Sequence, residues 1–557
     1  MAAFTTVLAF DLGASTGRAI RAVYDGERLK WKEIHRFDNI PAVENGHLRW
    51  NMEALLGEIR IAIQKAGKTD SLAFDTWGVD FGLLDADGKL LEDPVHYRDE
   101  RTKDWPQRVA QKIELHSLYV RTGNQILAIN TLFQLLALQE EQPDLLRRAK
   151  HLLFIPDLLA AMLGADLTWE RSIASTSQMW NPVAGTWDLE LLRQMGMDPG
   201  LFGAMTDSGS IIGALPDSTK IIAVAGHDTQ CAVAAMPVEE GESAAFLSCG
   251  TWSLIGCELE TPILTKESCD SGLSNEYGAN GRINYLKNII GLWLIQESRR
   301  EYARQGEEYS FGELAKLADE AEAFHCFIDP DAQEFVAPGN IPERIQKFCR
   351  RTGQPVPETV GETVRCIYES LALKYRYALE QLEGMTGKNF TILHILGGGA
   401  NAGLLCQMTA DACRLMVKAG PVEATALGNI LIQLKALHAI HDIDKGRRLI
   451  AVTEKITEYA PQNRKKAAWE NAYNRFASQA DGSTDTVISR ISTANNQHIL
   501  ALCRNKFLIS EVGIQEALRG SRQEIHCKID SFGISSGCFD ITGIGSTTTE
   551  YDAVIFF

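Results

Sequence analysis

The stretch "FDLGASTGR", Phe10 to Arg18, decides how this chain is read. An apolar run ends on an aspartate, and a loop of very small residues closed by an arginine follows. Upstream, "TTVLAFDL" is continuously apolar, as a strand buried on both faces is. Downstream, "GRAIRAVYDG" and "RLKWKEIHRF" alternate, with the turn pair Asp25-Gly26 between them. These three runs read as antiparallel strands. Asn51 then caps a helix with Met52, Leu55, Leu56, Ile59 and Ile63 on one face, and "SLAFDTW" returns as a strand. The order β-β-β-α-β predicts a ribonuclease-H-like domain. A dinucleotide-binding fold would instead place a helix directly after the first strand.

The turn lacks both the GxGxxG fingerprint and the Gly-Lys-Ser/Thr ending of a P-loop. It is either a plain hairpin turn or a nest of backbone N–H groups aimed at a phosphate. Two later stretches repeat its pattern. "ESAAFLSCGTWSLIGCEL" (242–259) is again apolar strand, small turn, apolar strand, and "FTILHILGGGANAGLL" (390–405) is strand, triple glycine, helix. The repetition predicts an α/β fold of two similar lobes with a cleft between them, and two turns facing each other as a phosphate clamp.

Between these landmarks, "VDFGLLDADGKLLEDP" reads as a hairpin turning at Asp87-Gly88. Residues 103–200 look mainly helical, with "NTLFQLLALQEEQPDLLRRA" as one amphipathic piece capped by Asn130 or Thr131. "TKIIAVAGHDTQCAVAAM" reads as buried strand, glycine, helix of small residues. Beyond "SQADGSTD", residues 481–557 turn to Ser, Thr, Ile and Gly, with weak alternation in "KIDSFGI" and "AVIFF"; this is a small β module or a partly disordered tail.

Composition narrows the partners. At 557 residues the chain holds two or three domains. A net charge of −17 with no sustained basic run argues against nucleic acid and anionic membrane as partners. No run of 18 apolar residues appears, and "MAAFTTVLAFDLG" lacks the basic start of a signal peptide, so the expected location is cytoplasmic. Twelve cysteines form no CxxC pair, which argues against a zinc site. Cys406 and Cys413 sit at helical spacing. Cys349 and Cys366 flank a charged stretch and could pair, but in a reducing compartment free thiols are the expectation.

Chemistry concentrates in a few places. In "GHDTQ", Asp228 stands where strand becomes helix, as an N-cap or as a general base kept ionised by the helix N-terminus. His227 beside it is a packing histidine or a substrate-orienting one. Asp11 ends the first strand, where it either forms a turn or faces a metal-bound water. "LGGGANAG" leaves room for a flat ligand such as adenine or ribose. "TWGVDF" offers Gly78 and Asp80, and "YRDERT" offers Arg98, Asp99 and Arg101, either to ring a sugar or as surface ion pairs. "LKNIIGLWLIQ" is expected to place Asn288 and Gln296 on an apolar helix with Trp293 in the core.

Taken in order from residue 8 to about 433, "FDLGASTGR", "DTWGVDFGLLD", "YRDERT", "INTLFQL", "GHDT", "CGTWSLIG", "LKNIIGLWLIQ", "LHILGGGANAGLL", "TADAC" and "AGPVEATALGNILIQ" resemble the FGGY carbohydrate kinases. Within that family, "TWGVDF" and "KNIIGLWLIQ" are most similar to the rhamnulokinase subgroup. The resemblance implies an actin-like fold: an N-terminal lobe for sugar and phosphate over 1–241, a nucleotide-binding lobe over 242–480, and an unassigned extension over 481–557. It implies ATP and Mg²⁺ as cofactors and transfer of the γ-phosphoryl group to O1 of L-rhamnulose, a step of L-rhamnose catabolism. Carried over, Ala14, Ser15, Thr16, Gly17 and Arg18 line the ATP phosphates, with Thr251, Gln296 and Gly398 also at nucleotide positions. Gly78, His227, Asp228, Thr229 and Asn288 fall at sugar positions, Asp228 as proton acceptor, and Asp11 faces the magnesium shell. Cys249 and Cys231 depart from the serine and small residue expected there. Another ketose kinase, acting on fuculose or xylulose, and an actin-like ATPase are the competing readings. Lobe motion is expected near "PVEATALGNI", where Gly428→Val should harm activity more than folding.

Overall fold

The computed structural model describes residues 4–239 and 241–480, together with the strands Gln523–Ile529, Ser535–Gly543 and Asp552–Ile555. The chain divides into two compact units, Met1–Ala477 and Ser478–Phe557. In the second unit, Gln523–Ile529 pairs antiparallel with both other strands. The remainder of the 481–557 expectation lies outside the described residues.

The first unit holds two mixed sheets built to one plan. In the first, Thr5–Leu12 pairs antiparallel with Thr16–Tyr24, which pairs antiparallel with Leu29–Asp38. On its other edge Thr5–Leu12 runs parallel to Ser71–Thr76, and that strand parallel to Lys220–Ala223. The helix Met52–Ala66 makes the crossover into Ser71–Thr76, with the Asn51 side chain accepting from the Ala54 N–H at 2.9 Å. The second sheet repeats this arrangement. Ala244–Cys249 pairs antiparallel with Trp252–Leu259, that strand antiparallel with Ile283–Ile290, and Ala244–Cys249 runs parallel to Ile392–Leu396 and on to Met416–Ala419. The duplicated ribonuclease-H-like plan is therefore present in both halves.

The halves meet through helices rather than sheet edges. Asp228–Ala234 and Ala424–Ala436 pack against each other, and Leu427, Ile430 and Leu431 join Val7, Ala9, Ile20 and Val224 in one buried cluster. Buried polar groups fix the register. Gln433 donates to the Leu8 carbonyl at 3.1 Å and accepts from Ser71 Oγ at 2.7 Å, and Asn429 donates to Asp75 at 2.7 Å. Gly428 stands at the tightest point, where any Cβ would overlap the Cys231 backbone carbonyl. This corrects the expectation for Gly428→Val. A side chain here collides with backbone that has no rotamer to yield, so the variant should lose folding first, seen as a depressed melting temperature or insoluble expression.

Three local expectations also change. The strand Phe81–Leu84 turns at Asp85–Lys89 as read, but its antiparallel ladder is with His151–Phe154. Residues 131–148 are two helices, Thr131–Glu141 and Pro143–Arg148, because proline cannot continue a helix and opens the second at its first position. Asn288 lies on the strand Ile283–Ile290 and only Gln296 on the helix Trp293–Arg304, since Gly291 approaches Ser253 too closely for any side chain and the chain turns there.

Candidate active site

The first-sheet turn, the second-sheet turn and the triple glycine all open on one cavity of about 310 Å³. Asp11, Ala14, Thr16 and Arg18 line it from one side, and Gly250, Thr251, Gly397 and Gly398 from the other. Gly78, His227, Asp228, Thr229 and Asn288 line its inner part. Sequence-expected residues from distant parts of the chain thus share one space.

The "GHDT" segment is held from behind. Glu170 Oε2 accepts from the Gly226 N–H at 2.9 Å and from the Ser172 and Ile173 N–H groups, and the Gly226 carbonyl accepts from the Thr76 N–H at 2.8 Å. This clamps the end of one strand beside the end of the next, and so puts His227 beside Gly78. The cap of the following helix is His227; Asp228 is its first residue, with its carboxylate accepting from the Thr229 N–H. Asp228 is therefore free of the capping role and opens on the cavity.

Electrostatics separate the partners. Burial pushes the Asp228 carboxyl above its ordinary range and Asp11 adds to this, while the His227 charge opposes it. Burial alone would depress His227, but the Glu276 carboxylate at 2.9 Å from Nδ1, with Asp228 beyond it, outweighs burial and raises it. Glu276 also accepts from Gln230 Nε2 at 2.7 Å. Asp75, fully buried and facing Asp11 across the parallel strand pair, is held well above the carboxylate range by burial and by the Asp11 charge. Its Oδ1 has no hydrogen-bond partner.

The two turns differ in what they present. Arg18 does not close the loop over empty space. Its Nε and Nη2 donate to Asp11 Oδ2 at 2.9 and 2.6 Å, and Nη1 pairs with Glu423. Gly17 faces away from the cavity, where a Cβ would overlap the Phe37 ring, and Ser15 uses its carbonyl to accept from the Asn39 N–H at 3.0 Å. In the opposite turn, Thr251 Oγ1 donates to Gln296 Oε1 at 3.3 Å, so Gln296 stands one bond behind the wall. The triple glycine divides its labour. Gly397 takes φ of 81°, Gly399 is pressed on Cys249 so that any Cβ would overlap its Sγ, and Gly398 alone faces open space.

Several polar residues of the sequence reading lie elsewhere. Asp80 is buried beneath the wall, accepting from Trp50 Nε1 at 2.7 Å, Trp77 Nε1 at 3.0 Å and Gln134 Nε2 at 2.9 Å, and burial raises its carboxyl to about 6. It holds the "TWGVDF" loop rather than a sugar. Arg98 stacks on Trp293 at 4.3 Å and donates to the Val336 carbonyl; Asp99 caps Arg101; Arg101 reaches Gln134. Conversely, Gln125, Thr176, Glu276 and Trp252 line the cavity without having been picked out. Gln125 Oε1 accepts from both the N–H and Nδ2 of Asn288 at 3.2 Å, a bond between the lobes. No motif marks Glu276 or Gln125: each belongs to the site through its fold neighbours alone.

Residues 6–237 match the model of the FGGY family of carbohydrate kinases, N-terminal domain, and residues 245–437 match its C-terminal domain. The chain is an FGGY carbohydrate kinase. Solved structures similar to this kinase include the gluconate kinase of Lactobacillus acidophilus, with 16% identity over 86% of this chain and 99% of the other at a TM-score of 0.69. The xylulose kinase of the same organism matches with the same figures. The Plasmodium falciparum glycerol kinase with ADP matches at 14% identity, covering 86% of this chain and 98% of the other, at a TM-score of 0.67. The fold is thus that of a two-domain actin-like sugar kinase, and the protein is a phosphotransferase acting on a carbohydrate. No described helix is long and apolar enough to cross a membrane.

Proposed function

We propose that this FGGY kinase transfers the γ-phosphoryl group of ATP to O1 of L-rhamnulose, in the cytoplasm, as a step of L-rhamnose breakdown. The observation that carries phosphoryl transfer is the meeting of Asp228, 3.5 Å from His227 Nε2, with two small-residue turns in one cavity. Phosphoryl transfer asks the protein mainly for in-line placement and charge stabilisation. Asp228 accepts the hydroxyl proton, and His227, Thr229, Gly78 and Asn288 orient the ketose. Ala14, Thr16, Thr251 and Gly398 face the nucleotide, with Ser15, Gly17, Arg18 and Gln296 shaping that wall. The 1–241 lobe carries sugar and phosphate, the 242–480 lobe the nucleotide, and 481–557 is an extension to which no chemistry is assigned.

The donor set fits Mg²⁺. Asp11, Asp75 and Asp228 each raise or are raised by one another, and Asp75 Oδ1 lacks a partner. A cluster of hard oxygen donors in charge excess suits a hard divalent cation. Asp11 and Asp228 are the residues that would hold it through its water shell, and bound there it would neutralise charge on the transferring phosphoryl group.

For the sugar, the cavity lining includes Leu127, Ile129, Val79 and Trp252, apolar side chains suited to a 6-deoxy sugar's methyl group. The ordered motif set supports the same subgroup. The test is ADP release by the full-length protein with L-rhamnulose, L-fuculose, D-xylulose, gluconate and glycerol. The reading expects the highest kcat/KM with L-rhamnulose; a higher value with another acceptor moves the assignment to that acceptor, and ATP turnover indifferent to sugar would overturn the kinase assignment itself.

A further inference from the structure

Far along the second half, Cys326, which the sequence gives no reason to single out, comes together with Cys349 and Cys366. Cys326 lies in the irregular segment after the helix Phe311–Glu320, Cys349 near the end of the helix Ile341–Arg351, and Cys366 in the first turns of the helix Val360–Thr386. Their sulfurs lie within 4.8 Å of one another, all three side chains are buried, and all three are free thiols. We propose that Cys326, Cys349 and Cys366 form a thiolate site for one thiophilic d¹⁰ cation, Zn²⁺ or Cu⁺, separate from the kinase cavity.

The geometry suits such an ion. A metal–sulfur bond of about 2.3 Å puts ligand sulfurs roughly 3.8–4.0 Å apart, inside the spacing found. Three soft ligands and no carboxylate in the set select against Mg²⁺ and Ca²⁺. The metal-binding form of cysteine is the thiolate, so binding would release the thiol protons. The charged neighbours are His325, whose Nδ1 pairs with Glu322 at 3.3 Å, and Glu369, which is bound to Arg365 and to the Phe324 N–H. Neither is counted as a ligand.

The cage is braced directly after Cys326. Gln354 exchanges two bonds with the Phe327 backbone, at 2.9 and 2.8 Å, and the Ile328 N–H donates to Ser370 Oγ at 3.0 Å. Three residues on, Asp329 and Asp331 grip Lys374, and Asp331 accepts from the Ile290 N–H at 2.9 Å. Ile290 ends the strand that carries Asn288 into the sugar cavity. A cation here would tie two helices to the segment that buttresses that strand, so its effect is on stability rather than on the chemical step.

The test uses full-length protein purified and reduced under argon, with metal added alone. Co²⁺, a spectroscopic stand-in for Zn²⁺, should give a thiolate-to-metal charge-transfer band saturating at one equivalent. Zn²⁺ should displace it and raise the melting temperature, as a ligand specific to the folded state must. Cys326→Ser should lose both effects, and Cys413→Ser, outside the cluster, should keep them. Should Cys326→Ser fail to fold, the stoichiometric band and the Zn²⁺ shift in the unaltered protein still decide the matter. No band, a band that survives Cys326→Ser, or a Cys349–Cys366 disulfide in the anaerobic protein with no metal uptake would each overturn the site.

Discussion

The two strand–turn–strand units at Phe10–Arg18 and Ser248–Trp252 share a backbone plan and differ in charge. In each, the glycine after the first strand donates its N–H to a carbonyl at the start of the second, Gly13 to Thr16 at 2.9 Å and Gly250 to Trp252 at 2.8 Å. The first turn is an ionic knot, Asp11–Arg18–Glu423, with Asp75 beneath it. The second is neutral, with Cys249, Gly250 and Thr251 backed by Gln296. Duplication has supplied two turns of one backbone plan, and only one carries ionic chemistry. That is the asymmetry expected where a nucleotide lies between lobes: charge belongs beside the transferring phosphoryl group, and close approach matters more at the far end.

The largest effects should therefore fall on the ionic side. Asp228→Asn is expected to fold and bind ATP yet lose turnover by ~10²-fold or more, the usual worth of a general base; near-normal single-turnover kinetics would remove that role. Arg18→Met breaks a largely buried ion pair and leaves Asp11 and Glu423 uncompensated, at a cost of about 3 kcal/mol of stability, the lower end for such a loss. Mg²⁺ should return part of this, because it offsets the same surplus charge. Thr251→Ala in the neutral turn removes a single hydrogen bond and should cost about 1 kcal/mol with no Mg²⁺ response. Chemical denaturation of both variants with and without Mg²⁺ measures the contrast, and an equal response would erase the distinction between the turns.

How legible this was depends on the kind of signal. Strand alternation, the Asn51 cap and the repeated strand–turn pattern come from local periodicity, so the fold of both lobes could be read from them. Asp228, His227 and Gly398, which line one cavity, stand out in the sequence because their neighbours form short motifs. Asp80 was misplaced because a carboxylate at a strand end reads alike whether it faces a cavity or accepts from Trp50, Trp77 and Gln134. Asn288 was put on a helix because Leu286, Ile289 and Ile290 are apolar at either period, and only the tight approach of Gly291 to Ser253 ends the strand. Glu276 and the Cys326–Cys349–Cys366 cluster exist only through tertiary contact, which spacing along the chain does not encode.

The triple glycine tests the neutral half more finely. Gly399→Ala forces a methyl group onto Cys249 Sγ and should cost about 1–3 kcal/mol through overpacking, with ATP affinity falling as the turn shifts. Gly398→Ala meets open space, so it should melt within a degree or two of the parent while raising the KM for ATP and leaving the KM for sugar alone. If both variants behaved alike, Gly398 would be a turn residue only and the nucleotide would lie elsewhere.

The smallest expected change lies between the halves, where Glu276 of the second reaches His227 of the first. With Asp228 as the proposed proton acceptor, turnover should fall as pH drops through its raised pKa. A positive charge on His227 lowers that pKa, and Glu276 raises the pKa of His227 by charge and hydrogen bond. Glu276→Gln removes this support. His227 then loses its proton at lower pH, Asp228 loses a favourable neighbour, and the acidic limb of kcat should move to higher pH with only a modest fall at the plateau. A purely structural Glu276 would lower kcat or thermal stability without moving the limb. The pH profile of the variant against the parent therefore shows whether the neutral half, through this one carboxylate, sets the proton affinity of the base in the ionic half.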